Sequence, residues 1–93
     1  MAAKPAEFHA KQVTRVSGQT DHASALKALG RAIRAARKVH GLSQEALADA
    51  AGIDRSHMGK IERGERNVTI LNVARVATAL SMKIADLLRD ADL

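Results

Sequence analysis

The side chains best equipped for chemistry crowd into one short stretch, where Asp54, Arg55, Ser56, His57, Lys60, Arg63 and Arg66 follow one another closely. Asp54, Ser56 and His57 are the residue types of a hydrolytic triad. A triad needs groups converging on one point, and three crowded at one helix start aim in different directions. Asp54 is better read as a helix cap. The four histidines show no metal-ligand spacing, and neither an HExxH sequence nor a glycine-rich phosphate loop occurs. The sequence therefore offers no catalytic residue, no metal ligand and no cofactor site, and we expect no enzyme. What remains is a set of hydrogen-bond donors. Arginine and lysine can donate to guanine O6 and N7, and serine can serve several bases. Arg63 and Arg66 suit phosphates.

The elements that must position these donors are helical. The chain is 46% hydrophobic, rich in Ala and Leu, with one proline and a single aromatic residue, Phe8. Ala and Leu stand high on the helix scale, and β-branched residues are sparse. Ninety-three residues suffice for one domain and a tail. The absence of cysteine excludes disulfides, thiolate nucleophiles and Cys-bound zinc, and suits a reducing cytosol. No apolar run approaches a membrane span. Lys4 is followed by Glu7, His9, Lys11 and Gln12 rather than by an apolar signal core. A cytoplasmic protein is expected. The net charge of +5 favours a polyanionic partner, nucleic acid or membrane surface.

Residues 1–22 hold Pro5, Gly18 and many polar side chains without a helical period. They read as an arm, flexible or strand-like around Gln12–Val16, ahead of a domain over 23–93. From Ser24 the pattern changes. Leu26, Leu29, Ile33, Ala36 and His40 share one helical face, and Lys27, Arg31, Arg34 and Lys38 share another. Arg37 falls beside the apolar stripe and needs a partner. Gly41 stops this helix.

Ser43 then caps a short helix with Glu45 in its first turn and Leu47, Ala48 and Ala51 inward. Gly52 ends it. Asp54 caps the next, which runs to about Arg63, with Met58 and Ile61 inward and Arg55, Ser56, Gly59, Lys60 and Arg63 mostly outward. Thr69 caps a fourth helix with Ile70, Val73, Val76, Ala77 and Leu80 inside. A fifth covers about Lys83 to Arg89 and contributes Ile84, Leu87 and Leu88.

Two short helices joined by a glycine-containing turn make a helix-turn-helix. The second helix must protrude to enter a major groove about 12 Å wide. The first must brace it steeply, which needs a small residue at the crossing, here Ala48. Leu47, Ile53, Met58 and Ile61 clamp the pair.

The stretch LSQEALADAAGIDRSHMGKIERGERN resembles the signature of the phage-repressor-like (Cro and Xre type) helix-turn-helix proteins, and the likeness extends over about Leu26 to Leu88. The resemblance implies an all-α, compact five-helix lambda-repressor-like DNA-binding domain that binds duplex operator DNA as a homodimer. By position, Arg55, Ser56 and Lys60 match the base-reading residues. Ser43 and Gln44 match the phosphate-facing start of the bracing helix. His57, like Arg63 and Arg66, falls to phosphate. Arg37 and Glu62 match a buried ion pair, which would supply the missing partner. Val68, Ile84 and Leu88 would lie in the dimer surface. The sequence departs from the family pattern at Gly59, a position expected to face the groove and to bear a polar side chain there, at Val68 in place of a proline, and at Lys83 in place of a capping serine.

The motif itself carries no excess of positive charge. From Gln44 to Arg66 four basic residues face five acidic ones, so affinity must come from placement rather than bulk charge. Single-strand binding is disfavoured by the lack of Trp and Tyr for base stacking. The best reading is a transcriptional regulator, a repressor of its target. An antitoxin that binds a partner toxin, with the arm as the protein-binding segment, uses the same scaffold. So does a controller of a restriction-modification operon.

Overall fold

The 3-4 spacing of Leu29 and Ile33 marks the helix on which the rest assembles. In the computed structural model, which describes residues 18–93, it is α1 (Gly18–Val39), followed by α2 (Gln44–Ala51), α3 (Arg55–Glu62), α4 (Ile70–Ala79) and α5 (Ile84–Asp90). No strand occurs among the described residues. The helix starts at Gly18, so the sequence boundary after residue 22 falls inside α1. Helix propagation costs far less than nucleation, and a turn added to a packed helix needs no apolar period of its own. The strand expected at Gln12–Val16 and the cations Lys4, Lys11 and Arg15 lie outside the described residues.

The caps are local chemistry. Ser43 Oγ accepts from the Ala46 N–H at 3.0 Å, and Thr69 Oγ1 from Asn72 at 3.1 Å. Asp54 Oδ2 accepts from Ser56 at 3.0 Å and His57 at 3.3 Å. Each satisfies an amide the helix itself cannot. Lys83 has no acceptor to offer. Instead Asp86 Oδ2 takes the Lys83 N–H at 3.4 Å, which is half of a capping box. Gly52, at φ 69°, turns the chain so that the Ile53 N–H returns to the Ala48 carbonyl at 2.9 Å and Ile53 enters the core.

One core joins the five helices. Ile33, Leu47, Met58, Val76, Leu80 and Leu87 are fully buried. Helix α3 lies against α1 and α2, while α4 backs α2 and α5 ties α4 to α1. The approach of α1 to α3 is closer than side chains would allow. A Cβ on Gly30 would collide with the Glu62 carbonyl oxygen and come within 2.7 Å of that of Ile61. Gly64 answers from the other side. Its φ is 71°, and a Cβ there would meet Lys27 Cα at 2.7 Å.

Three expected core positions differ. Ile70 is 63% exposed, because it opens α4 and its side chain leans past the end of the helices that would cover it. His40 is exposed at the far end of α1, and Leu26 is half-buried. The apolar stripe is right in direction, and it fails where helices overhang their neighbours.

Candidate nucleic-acid interface

Helix α3 is two turns long and has two unlike sides. Inward, Met58, Ile61 and Glu62 are buried. Outward, Arg55 and Ser56 are exposed and Lys60 is half-exposed. None of the three is occluded by the chain's own interior.

The inner side is held by charge as well as packing. Arg37 Nε lies 2.8 Å from Glu62 Oε2 and its second guanidinium nitrogen 3.1 Å from Oε1, a bidentate pair. The third nitrogen donates to the Leu42 carbonyl at 2.8 Å. Gln44 Nε2 donates to Glu62 Oε1 at 3.0 Å. The side chains of Arg37 and Glu62 are 11% and 2% exposed, and no buried side-chain polar atom among the described residues lacks a partner. One carboxylate on α3 thus fixes the last turn of α1 and the start of α2. Arg37 is the cation beside the apolar stripe, and Glu62 is its partner.

Gln44 is therefore bonded inward, and the cap of α2 belongs to Ser43. The N–H groups of Gln44 and Glu45 precede the first amide that cap satisfies and, with the helix dipole, form an anion-favouring end. Gly59 corrects the sequence expectation. It is buried rather than groove-facing, and a Cβ there would meet an Arg63 guanidinium nitrogen at 3.1 Å and Gln44 Oε1 at 3.4 Å. One residue past Met58 is about 100° around the helix, a flank covered by the start of α2.

The outer charges have looser ties. Arg55 lies 3.8 Å from Glu45, with both side chains well exposed. Arg63 Nε lies 3.1 Å from Glu65, and this hydrogen bond holds the Glu65 carboxyl below its ordinary value of 4.5. His57 is half-buried and Arg66 exposed. Val68, Ile84 and Leu88 are partly buried, packed on the protein's own core. Sequence reasoning missed the Gln44–Glu62 bond and the Gly30 contact. A glycine inside a helical stretch, costly without a packing reason, was the available signal for the latter.

Among the described residues no group of His, Asp or Glu side chains could hold a metal, and no helix is long and apolar enough to cross a membrane.

A model of the helix-turn-helix family matches residues 33–87, which contain α2, α3 and α4 whole. The chain is 41% identical to control protein C.SmaI of Serratia marcescens over 56 residues, 60% of this chain and 67% of that protein. Among solved structures, the restriction-modification controller protein C.AhdI from Aeromonas hydrophila shares 45% identity at a TM-score of 0.66, over 67% of this chain and 94% of that one. The clp gene regulator ClgR from Corynebacterium glutamicum shares 32% identity at a TM-score of 0.71, over 73% of this chain and 72% of that one. The chain belongs to the helix-turn-helix family, of the Cro and Xre type that its signature stretch resembles.

Proposed function

We propose that this protein is a cytoplasmic, sequence-specific regulator of transcription that represses its target by inserting α3 into the major groove of duplex DNA. The observation that carries the reading is the division of α3 into a buried, ion-paired side and an exposed side bearing Arg55, Ser56 and Lys60. Arg55 and Lys60 donate to guanine edges and Ser56 to several bases. The amides at the start of α2, with Ser43 and Gln44 setting their geometry, face phosphate. His57, Arg63 and Arg66 add phosphate contacts, with Arg63 exchanging Glu65 for the backbone.

Two copies bind together, through a surface that includes Val68, Ile84 and Leu88, each only partly buried in one copy. Selection from random duplexes tests the whole reading. The enriched sites should be two-fold symmetric, with half-sites about one helical turn apart. No enrichment, or an unpaired half-site, would refute it. The similarity to C.AhdI, a restriction-modification controller protein, favours control of a restriction-modification operon over the antitoxin reading.

A further inference from the structure

Gly59 is the one glycine inside α3, and backbone geometry does not require it there. It is not among the residues with positive φ, and the three atoms nearest a Cβ built on it all belong to side chains. Gly30 and Gly64, by contrast, lie against backbone. Glycine is also a poorer helix former than alanine. What stands at Gly59 is the Arg63 guanidinium. Arg63 follows four residues later, and long helical side chains lean back over the preceding turn. A Cβ at 59 would lie 3.1 Å from Arg63 Nη1, 3.9 Å from its Cζ and 3.4 Å from Gln44 Oε1. The missing side chain leaves a notch between the flank of α3 and the start of α2, and Arg63 Nη1 sits in it. On the other side of the same group, Nε lies 3.1 Å from Glu65.

We infer that Gly59 is a positioning residue for DNA binding, which seats Arg63 along the flank of α3 beside the start of α2, in place to meet a backbone phosphate. This rests on the function proposed above, in which Arg63 exchanges Glu65 for phosphate. The exchange takes place at Nε while Nη1 keeps its place over Gly59. A side chain already held in its bound form loses little further rotamer freedom on binding. An alanine at 59 fills the notch, and of the two side chains bordering it Arg63 is the one that yields. Gln44 is tied to the buried Glu62 carboxylate by a 3.0 Å bond, whereas the Arg63 side chain is 54% exposed.

Gly59→Ala, Arg63→Ala and the double variant of the full chain test this. In the DNA-free protein, Gly59→Ala should raise the unfolding midpoint, as the better helix former, and lower the ¹⁵Nε–H order parameter of Arg63. With duplex DNA, across a salt series, it should weaken binding several-fold on every sequence and reduce the slope of log affinity against log salt by about one. Made in Arg63→Ala, the same substitution should change neither affinity nor slope. An order parameter or an affinity untouched by Gly59→Ala would overturn the inference and leave the proposed function standing. So would equal losses with and without Arg63, which would place the new methyl group against the DNA itself. A lowered midpoint would make Gly59 a packing residue instead. A parent chain that binds no duplex would overturn the proposed function, and this inference with it.

Discussion

The two sides of α3 differ in nearly every physical respect although they share eight residues. The inner side is over-determined: Met58 and Ile61 fill the core, and Glu62 accepts three hydrogen bonds from two side chains on other elements. The outer side has one long, exposed ion pair at Arg55. A short helix has little stability of its own, so the rigidity that recognition needs must be supplied from behind. The contrast also shows where part of the negative charge of the motif is engaged. Glu62 is neutralised by Arg37, Asp54 is used as a cap and Glu65 faces Arg63. Several of the acids are thus engaged within the chain, and the outward donors of α3 are two basic side chains, Arg55 and Lys60, and the Ser56 hydroxyl.

If the sides are separable, substitutions on each should fail differently. The largest effect is expected for Glu62→Ala, which strands Arg37. Removing one member of a buried pair costs about 3–5 kcal/mol, and denaturant unfolding should show that loss. A loss under about 1 kcal/mol would mean that the pair behaves as a surface contact. Gly30→Ala should follow, at about 1–3 kcal/mol or more, because its methyl group meets backbone rather than a movable side chain. Arg63→Ala crosses to the outer side. Stability should stay within about 0.5 kcal/mol, while the slope of log affinity against log salt falls by about one. Ser81→Gly is the smallest and a control. Ser81 sits at φ 56° between α4 and α5, so glycine should stabilise by about 0.5–1 kcal/mol and leave DNA affinity unchanged. A change in affinity there would show that the interface reaches beyond α3 and its braces.

The sequence carried the fold where caps and periods agree. Ser43, Asp54 and Thr69 each precede a helix and each accepts the expected amide, and Leu29, Ile33 and Met58 are buried as their spacing implies. Periodicity misled at the ends, since it describes one helix and not the length of its neighbours. Ile70 and His40 lie on the right stripe but beyond cover. It misled also at Gly59, where the start of a separate helix closes over a flank that a helical wheel leaves open. Long-range polar partners were legible only in part. That Arg37 needed a partner followed from its own position, and Glu62 as that partner came from the family resemblance. That Gln44 would share the same carboxylate depends on how three helices meet, which no local pattern encodes.

The central claim is that the outer side of α3 reads base edges while contributing little to folding. A thermodynamic cycle between Arg55→Ala and single base-pair changes in the selected site tests it most directly. The account predicts an unchanged unfolding midpoint and loss of discrimination at one base pair, about 1–3 kcal/mol, with preferences elsewhere retained. Equal weakening on every duplex would make Arg55 a phosphate contact, and loss of folding would place it in the scaffold; either result contradicts the claim.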